Sequence, residues 1–198
     1  AAWLKRAAGR GHLGATFAYG RLHELGRGVA RSHAEAANWY ERAASQGDGK
    51  AAFNLAGLYR EGLGVARDVE KATQYYTRAA DLGYLPASFA LARLFESGEN
   101  WPHDAPKAVA WYTRGAAAGN TDAQINLGAL YADGQGVAQD LESAYAWFYT
   151  ASQLNHPLAA DNLALISAQL DAAGVAAGQT LGLRFLDEIQ TARESALN

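Results

Sequence analysis

Cysteine is missing from this 198-residue chain, and so is methionine. Without cysteine there is no disulfide, no thiolate metal site and no thiol nucleophile, and the compartment is left open. Without methionine the chain opens on Ala1, so a leader already removed would leave no trace. No apolar run approaches the roughly 20 residues that a membrane span needs, and no basic-then-apolar leader is visible. Basic residues are outnumbered, 17 Lys and Arg against 20 Asp and Glu, which argues against a general nucleic-acid binder. Apolar content is 49%, that of a folded chain and far from a disordered one.

Catalytic and metal signatures are absent too. The histidines His12, His23, His33, His103 and His156 show no HxH or HExxH spacing. No GxSxG occurs, and the acids are scattered over helix surfaces with no pair singled out. Gly9 to Gly14 spells GxGxxG, but a helix precedes it where a dinucleotide fold needs a strand. The reading is therefore noncatalytic, with no cofactor and no metal.

What is present is a repeat. Gly26, Gly62, Gly98 and Gly134 step by 36, as do Ala15, Ala51, Ala87, Ala123 and Ala159. Leu22, Leu58, Leu94 and Leu130 keep the step, and so does the aromatic run Trp39, Tyr75, Trp111, Trp147. A fixed period of about 20 to 50 residues marks a solenoid, in which each unit buries its apolar face only against its neighbours.

Residues 49–84 show the physics of one unit. Ala51, Leu55, Leu58 and Tyr59 share one face of a helix from about Lys50 to Glu61. Gly62 ends it, Gly64 permits a second backbone reversal, and Val65 tucks the loop inward. Asp68 caps a second helix running to about Leu82, with Ala72, Tyr75, Tyr76, Ala79 and Ala80 on its buried side. In the first unit Ser32 is the cap, with Glu35 placed for a capping box. In the third unit Asn100 stands for Gly64, and Trp101 stands for Val65, either as a larger plug or as an exposed contact. Small residues at Gly20, Ala56, Ala92, Gly128 and Ala164 let two helices approach closely.

The predicted fold is all-α: an α/α solenoid, a right-handed superhelix of antiparallel helix pairs with a 36-residue period. Residues 1–12 form the second helix of a truncated unit, which suggests a piece of a longer or processed protein. Residues 13–48, 49–84, 85–120 and 121–156 are full repeats, and 157–198 hold a partial repeat and a capping helix. In that last helix, Gly178 to Ala196, a seam of Leu181, Phe185 and Ile189 faces inward, with Arg184, Glu188 and Arg193 outward.

Charge is unevenly spread. Residues 1–60 hold nine Lys or Arg against four acids, whereas between Arg114 and Arg184 there are six acids and no Lys or Arg. A drifted solvated surface fits this, and so does a basic partner at the C-terminal repeats or head-to-tail contact between copies.

These residues carry a resemblance. An Ala–Leu-Gly/Ala–Leu-Tyr first helix, a Gly-x-Gly-Val loop with Asp three positions on, then Ala-x-x-Trp/Tyr-Tyr-x-x-Ala-Ala and Gly is similar to the Sel-one-like repeat (SLR), a tetratricopeptide-like helical hairpin. The tetratricopeptide period is near 34. The longer step and the Gly-x-Gly-Val loop favour the Sel-one-like class over about residues 1–170. The resemblance implies first helices lining a concave surface, adaptor or scaffold work on another protein or peptide, and a bacterial periplasmic or envelope setting.

A partner would sit on the first helices. Phe17 lies about 200° round from Ala15 and should point away from the second helix. Phe17, Phe53, Phe89 and Ile125 make a ladder that packs on itself, floors an apolar groove, or does both. Asn54, Asn126 and Asn162 stand beside it for backbone hydrogen bonds, and Arg21, Arg60 and Arg93 add carboxylate or backbone contacts. Alternative roles are structural assembly through the solenoid ends, or a glycan-binding or glycan-acting envelope protein.

Overall fold

A computed structural model describes residues 1–98 and 102–195. The expectations for Asn100, Trp101 and Ala196 lie outside the described residues. Eleven helices and no strand occur among the described residues, in an all-α repeat solenoid. The chain divides into two compact units, residues 1–87 and 88–198, the division falling inside one helix.

The first unit holds α1 (Ala2–Gly9), α2 (Leu13–Leu25), α3 (His33–Ser45), α4 (Gly49–Glu61) and α5 (Val69–Asp81). Each helix packs on the next in sequence. The second unit holds most of α6 (Pro86–Ser97), then α7 (Ala105–Ala117), α8 (Thr121–Asp133), α9 (Leu141–Gln153), α10 (Ala159–Ser167) and α11 (Ala172–Ser195).

Side chains set these boundaries. Ser32, Asp68, Asp104 and Asp140 each accept the backbone N–H three residues on, capping α3, α5, α7 and α9. Such a cap contributes about 1 kcal/mol. His12, Asp48 and Asn120 cap α2, α4 and α8 in the same way, which the repeat pattern did not single out. The capping box at Ser32 is only half formed. Ser32 Oγ accepts from Glu35 N–H at 3.2 Å, but the Ser32 N–H donates to the His23 carbonyl at 2.9 Å. Asp68, Asp104 and Asp140 donate likewise to Tyr59, Phe95 and Tyr131. The loop thus ties the second helix to the end of the first.

A second tie recurs beside it. Arg31 Nε donates to the Glu24 carbonyl, Arg67 Nε to Arg60, and Gln139 Nε2 to Ala132, at 3.1, 3.2 and 2.7 Å. In the same register His103 Nδ1 lies 2.8 Å from the Glu96 carbonyl. Different side chains serve one purpose, because the position asks only for a long donor.

Tyr40, Tyr76 and Tyr112 are the largest fully buried side chains. Burying a ring of this size contributes roughly 1.5–3 kcal/mol. The small residues of the first helices face these rings: a Cβ on Gly20 would lie 2.9 Å from the Tyr40 ring, and one on Gly128 2.6 Å from that of Phe148. Ala56 and Ala92 are fully buried in the same register. In the fifth unit Ala164 is exposed, and the helix that follows, α11, lies along α9.

α11 reaches α9 through a glycine face. A Cβ on Gly178 would lie 2.8 Å from the Tyr145 ring, and one on Gly182 2.9 Å from the Ala146 carbonyl. Ile189 is buried and Phe185 stacks on Trp147 at 4.1 Å, as the expected seam requires, with Leu181 half-buried. Tyr75, expected in the core, is only half-buried. It stacks on Tyr59 at 5.7 Å and donates its hydroxyl to Glu41 at 3.2 Å.

Gly28 and Gly64 both take φ near +70°, yet their surroundings differ. A Cβ on Gly64 would fall 2.2 Å from the Ala34 nitrogen, whereas one on Gly28 meets only the Ala1 Cβ at 3.8 Å. Gly28→Ala is expected to cost only the left-handed penalty, about 1–2 kcal/mol. Gly64→Ala should cost a further ~1–3 kcal/mol from overpacking. Urea unfolding of the two variants checks this; equal losses would mean that the loop contact carries no weight.

Candidate functional site

Phe17, Gly20, Arg21 and Glu24 are spaced i, i+3, i+4 and i+7, so they form one stripe along α2. Gly20 brings the Tyr40 ring of α3 across that stripe. The Phe17 ring therefore lies 5.7 Å from Tyr40 instead of pointing away from the second helix as expected. Angle counting from Ala15 missed this because the tyrosine is long enough to cross the edge of its partner. Phe53 packs on Tyr76 at 5.2 Å and on Tyr84 at 5.1 Å, and Phe89 packs on Tyr112 at 5.9 Å. Phe17, Phe53 and Phe89 are each half-buried.

In the first and third repeats the end of the stripe faces the tyrosine hydroxyl. Tyr40 donates to Glu24 Oε2 at 2.5 Å, and Arg21 Nε lies 3.6 Å from the same oxygen. Tyr112 donates to Glu96 Oε2 at 2.6 Å, with Arg93 in electrostatic reach. Burial first, and then the adjoining carboxylate, pushes both phenols far above the ordinary tyrosine range. Burial, followed by the charge of Glu41, likewise raises Tyr75 to about 12.

The second repeat differs. Gly57 stands where Arg21 and Arg93 stand, and Arg60 stands where Glu24 and Glu96 stand. Tyr76 is only 2% exposed and its phenol is raised by burial, with Arg60 opposing the shift. No hydrogen bond reaches its hydroxyl among the described residues. Arg60 Nε instead pairs with Glu61 at 2.7 Å. In the fourth repeat Phe148 has no hydroxyl, and Ala129 and Ala132 fill the two stripe positions.

The remaining candidates are placed differently from one another. Ile125 is buried in a core cluster with Tyr145 and Phe148. Asn126 is half-buried on α8, and Asn162 donates to the Leu158 carbonyl within its own helix at 3.0 Å. His23 packs edge-on against Tyr19 at 4.9 Å, as its aromatic register suggests. His12 belongs to the turn after α1, where it caps α2. Glu24, Glu96 and the tyrosine hydroxyls were not among the sequence candidates. Their signal was there: Glu24, Arg60 and Glu96 alternate in sign at the same step. Among the described residues no three potential metal ligands converge. No helix there is long and apolar enough to cross a membrane.

The Sel1 repeat family model matches residues 14–48, 49–84, 85–120 and 121–156. The chain belongs to the Sel1 repeat family. It is similar to a Sel1 repeat protein from Oxalobacter formigenes, at 33% identity over 83% of this chain and 48% of that one, with a TM-score of 0.72. It is also similar to c5321, a protective antigen of uropathogenic Escherichia coli strains with an SLR fold. There the identity is 26% over 98% of this chain and 50% of that one, with a TM-score of 0.54. The chain spans about half the length of these solved relatives. No curated protein gives a match. Sel1 repeats are generally protein-interaction modules on a noncatalytic helical scaffold.

Within this Sel1 framework the hydroxyl–carboxylate bonds are local stabilisers. Hydrogen bonds to charged groups contribute about 1.5–3 kcal/mol. A double-mutant cycle of Tyr112→Phe and Glu96→Gln is expected to give a coupling of about 1–2 kcal/mol in urea unfolding. A coupling below about 0.3 kcal/mol would mean that the bond does not hold in solution.

Proposed function

We propose that the chain is a noncatalytic protein-binding module of a bacterial scaffold or regulator, each of its two units holding partner peptide on its own first-helix stripes. The observation that carries this reading is the mixed edge of the stripes in the first and third repeats. Half-buried Phe17, Phe53 and Phe89 offer apolar area beside exposed Arg21 and Arg93. Half-buried aromatic rings next to arginine are the composition of interface anchors. Asn54 and Asn126 add an amide that both donates and accepts. Family membership supports the general role, and an envelope or periplasmic location rests on resemblance to bacterial SLR proteins.

Peptides selected on this chain from a displayed random library provide the probe. Arg21→Ala/Arg93→Ala removes two exposed side chains and should leave the helical content unchanged. Phe53→Glu/Phe89→Glu places charge on the apolar edge itself. Each double variant is expected to bind the selected peptides at least tenfold more weakly, about 1.4 kcal/mol, by fluorescence anisotropy. Undiminished binding to a folded Arg21→Ala/Arg93→Ala variant would move the partner off these stripes.

A further inference from the structure

The four repeats share one frame, so a difference at one register position can be read against its siblings. In the first and third repeats the chain supplies its own carboxylate to the buried tyrosine: Glu24 to Tyr40 and Glu96 to Tyr112, at 2.5 and 2.6 Å. The frame therefore places a tyrosine hydroxyl where it donates to a carboxylate at the stripe's edge. In the second repeat the carboxylate is replaced by a side chain of opposite sign, Arg60, and its neighbour on the stripe by Gly57. A Cβ on Gly57 would lie 3.9 Å from the Tyr76 hydroxyl oxygen, so Gly57 sets no side chain beside it where Arg21 and Arg93 stand in the sibling repeats.

Three features then meet at one spot. The Tyr76 hydroxyl sits on a side chain that is 98% buried by its 2% exposure, and it makes no hydrogen bond among the described residues. Arg60, its side chain 40% exposed, stands in electrostatic reach of that hydroxyl, and so does Glu61, the carboxylate that an incoming one would displace from Arg60. The half-buried Phe53 ring packs edge-on against Tyr76 at 5.2 Å and gives the spot an apolar wall. A hydroxyl donor, a guanidinium and an aromatic wall suit a carboxylate carried on a short aliphatic stem. The existing Arg60–Glu61 pair is solvent-exposed and involves one of five guanidinium N–H donors, so it exchanges readily.

We propose that Phe53, Gly57, Arg60 and Tyr76 form a socket for an aspartate or glutamate side chain of a partner polypeptide. The incoming carboxylate takes the place held by Glu24 and Glu96 in the sibling repeats. It accepts the Tyr76 hydroxyl proton as a hydrogen bond and pairs with Arg60. This socket gives the interaction module of the preceding section a stated preference, for an acidic side chain at one position, and rests on that reading.

The test uses the intact chain, isotopically labelled, and the blocked peptide acetyl-AAEAA-amide. The expected result is a saturable shift of the Arg60 Nε–Hε and Tyr76 ring resonances. Acetyl-AAQAA-amide and free acetate should bind at least tenfold more weakly. Tyr76→Phe should weaken the glutamate peptide severalfold. Arg60→Glu should abolish its binding while melting no lower than the parent chain, because the new carboxylate reproduces the bond seen at Tyr40. Equal binding of the glutamate and glutamine peptides overturns the proposal, and so does undiminished binding to Arg60→Glu. An equal response to acetate overturns the assignment to a polypeptide side chain. Library peptides that need Phe53 and Phe89 but carry no required acid would sink the socket and leave the module standing. Saturable binding of the glutamate peptide with no library peptide recovered would do the reverse.

Discussion

An aromatic ring pressed against a glycine is the contact on which the first and fourth hairpins depend, and a buried tyrosine holds the same register in the second and third. Tyr40 lies over Gly20 so closely that a single added carbon would sit 2.9 Å from the ring. That closeness has consequences in both directions. Toward the core, it seals the hairpin around a fully buried aromatic group. Toward the surface, it carries the phenol past the edge of the first helix, where the hydroxyl meets whatever the i+4 residue from Gly20 happens to be. Glutamate, arginine and alanine occupy that register in different repeats. The scaffold is thus fixed by apolar packing, while the chemistry at its edge is free to change from repeat to repeat.

The loops work by the same division. Backbone groups make the constant part: the amide of the second helix's cap donates to the penultimate turn of the first helix in four repeats. The side chain before that cap makes a second tie, and arginine, histidine and glutamine all stand in that register. A position that requires only reach and a polar atom is conserved in geometry without being conserved in identity. Such positions are invisible to a search for repeated letters.

That explains what was legible in the sequence. The period, the helix type and the helix ends were readable because they rest on local chemistry: left-handed glycines at 26, 62, 98 and 134, and Ser or Asp caps. The Val69–Asp81 helix begins where Asp68 said it would. Tertiary contacts were less readable. The glycine face of α11 hid behind a more conspicuous row of Leu181, Phe185 and Ile189. Phe17 meets a tyrosine of the second helix where the helical wheel points it away, because a wheel carries no information about how far a partner's ring extends. The repeat letters pick out Arg21 and Arg93 as candidates but not the glutamates and tyrosines beside them, since those lie at other places in the repeat.

The account stands on separating the two halves of one side chain: the Tyr76 ring as the anchor of its hairpin, and the Tyr76 hydroxyl as spare to folding. Equilibrium unfolding in urea of Tyr76→Phe and Tyr76→Ala separates them directly. The phenylalanine variant should hold stability within about 0.5 kcal/mol, since it removes no hydrogen bond made among the described residues. The alanine variant should lose about 3–5 kcal/mol, as for an aromatic side chain deleted from a packed core. A phenylalanine variant as damaged as the alanine one would show that the hydroxyl is already engaged in holding the fold, and the division between scaffold and edge would fail.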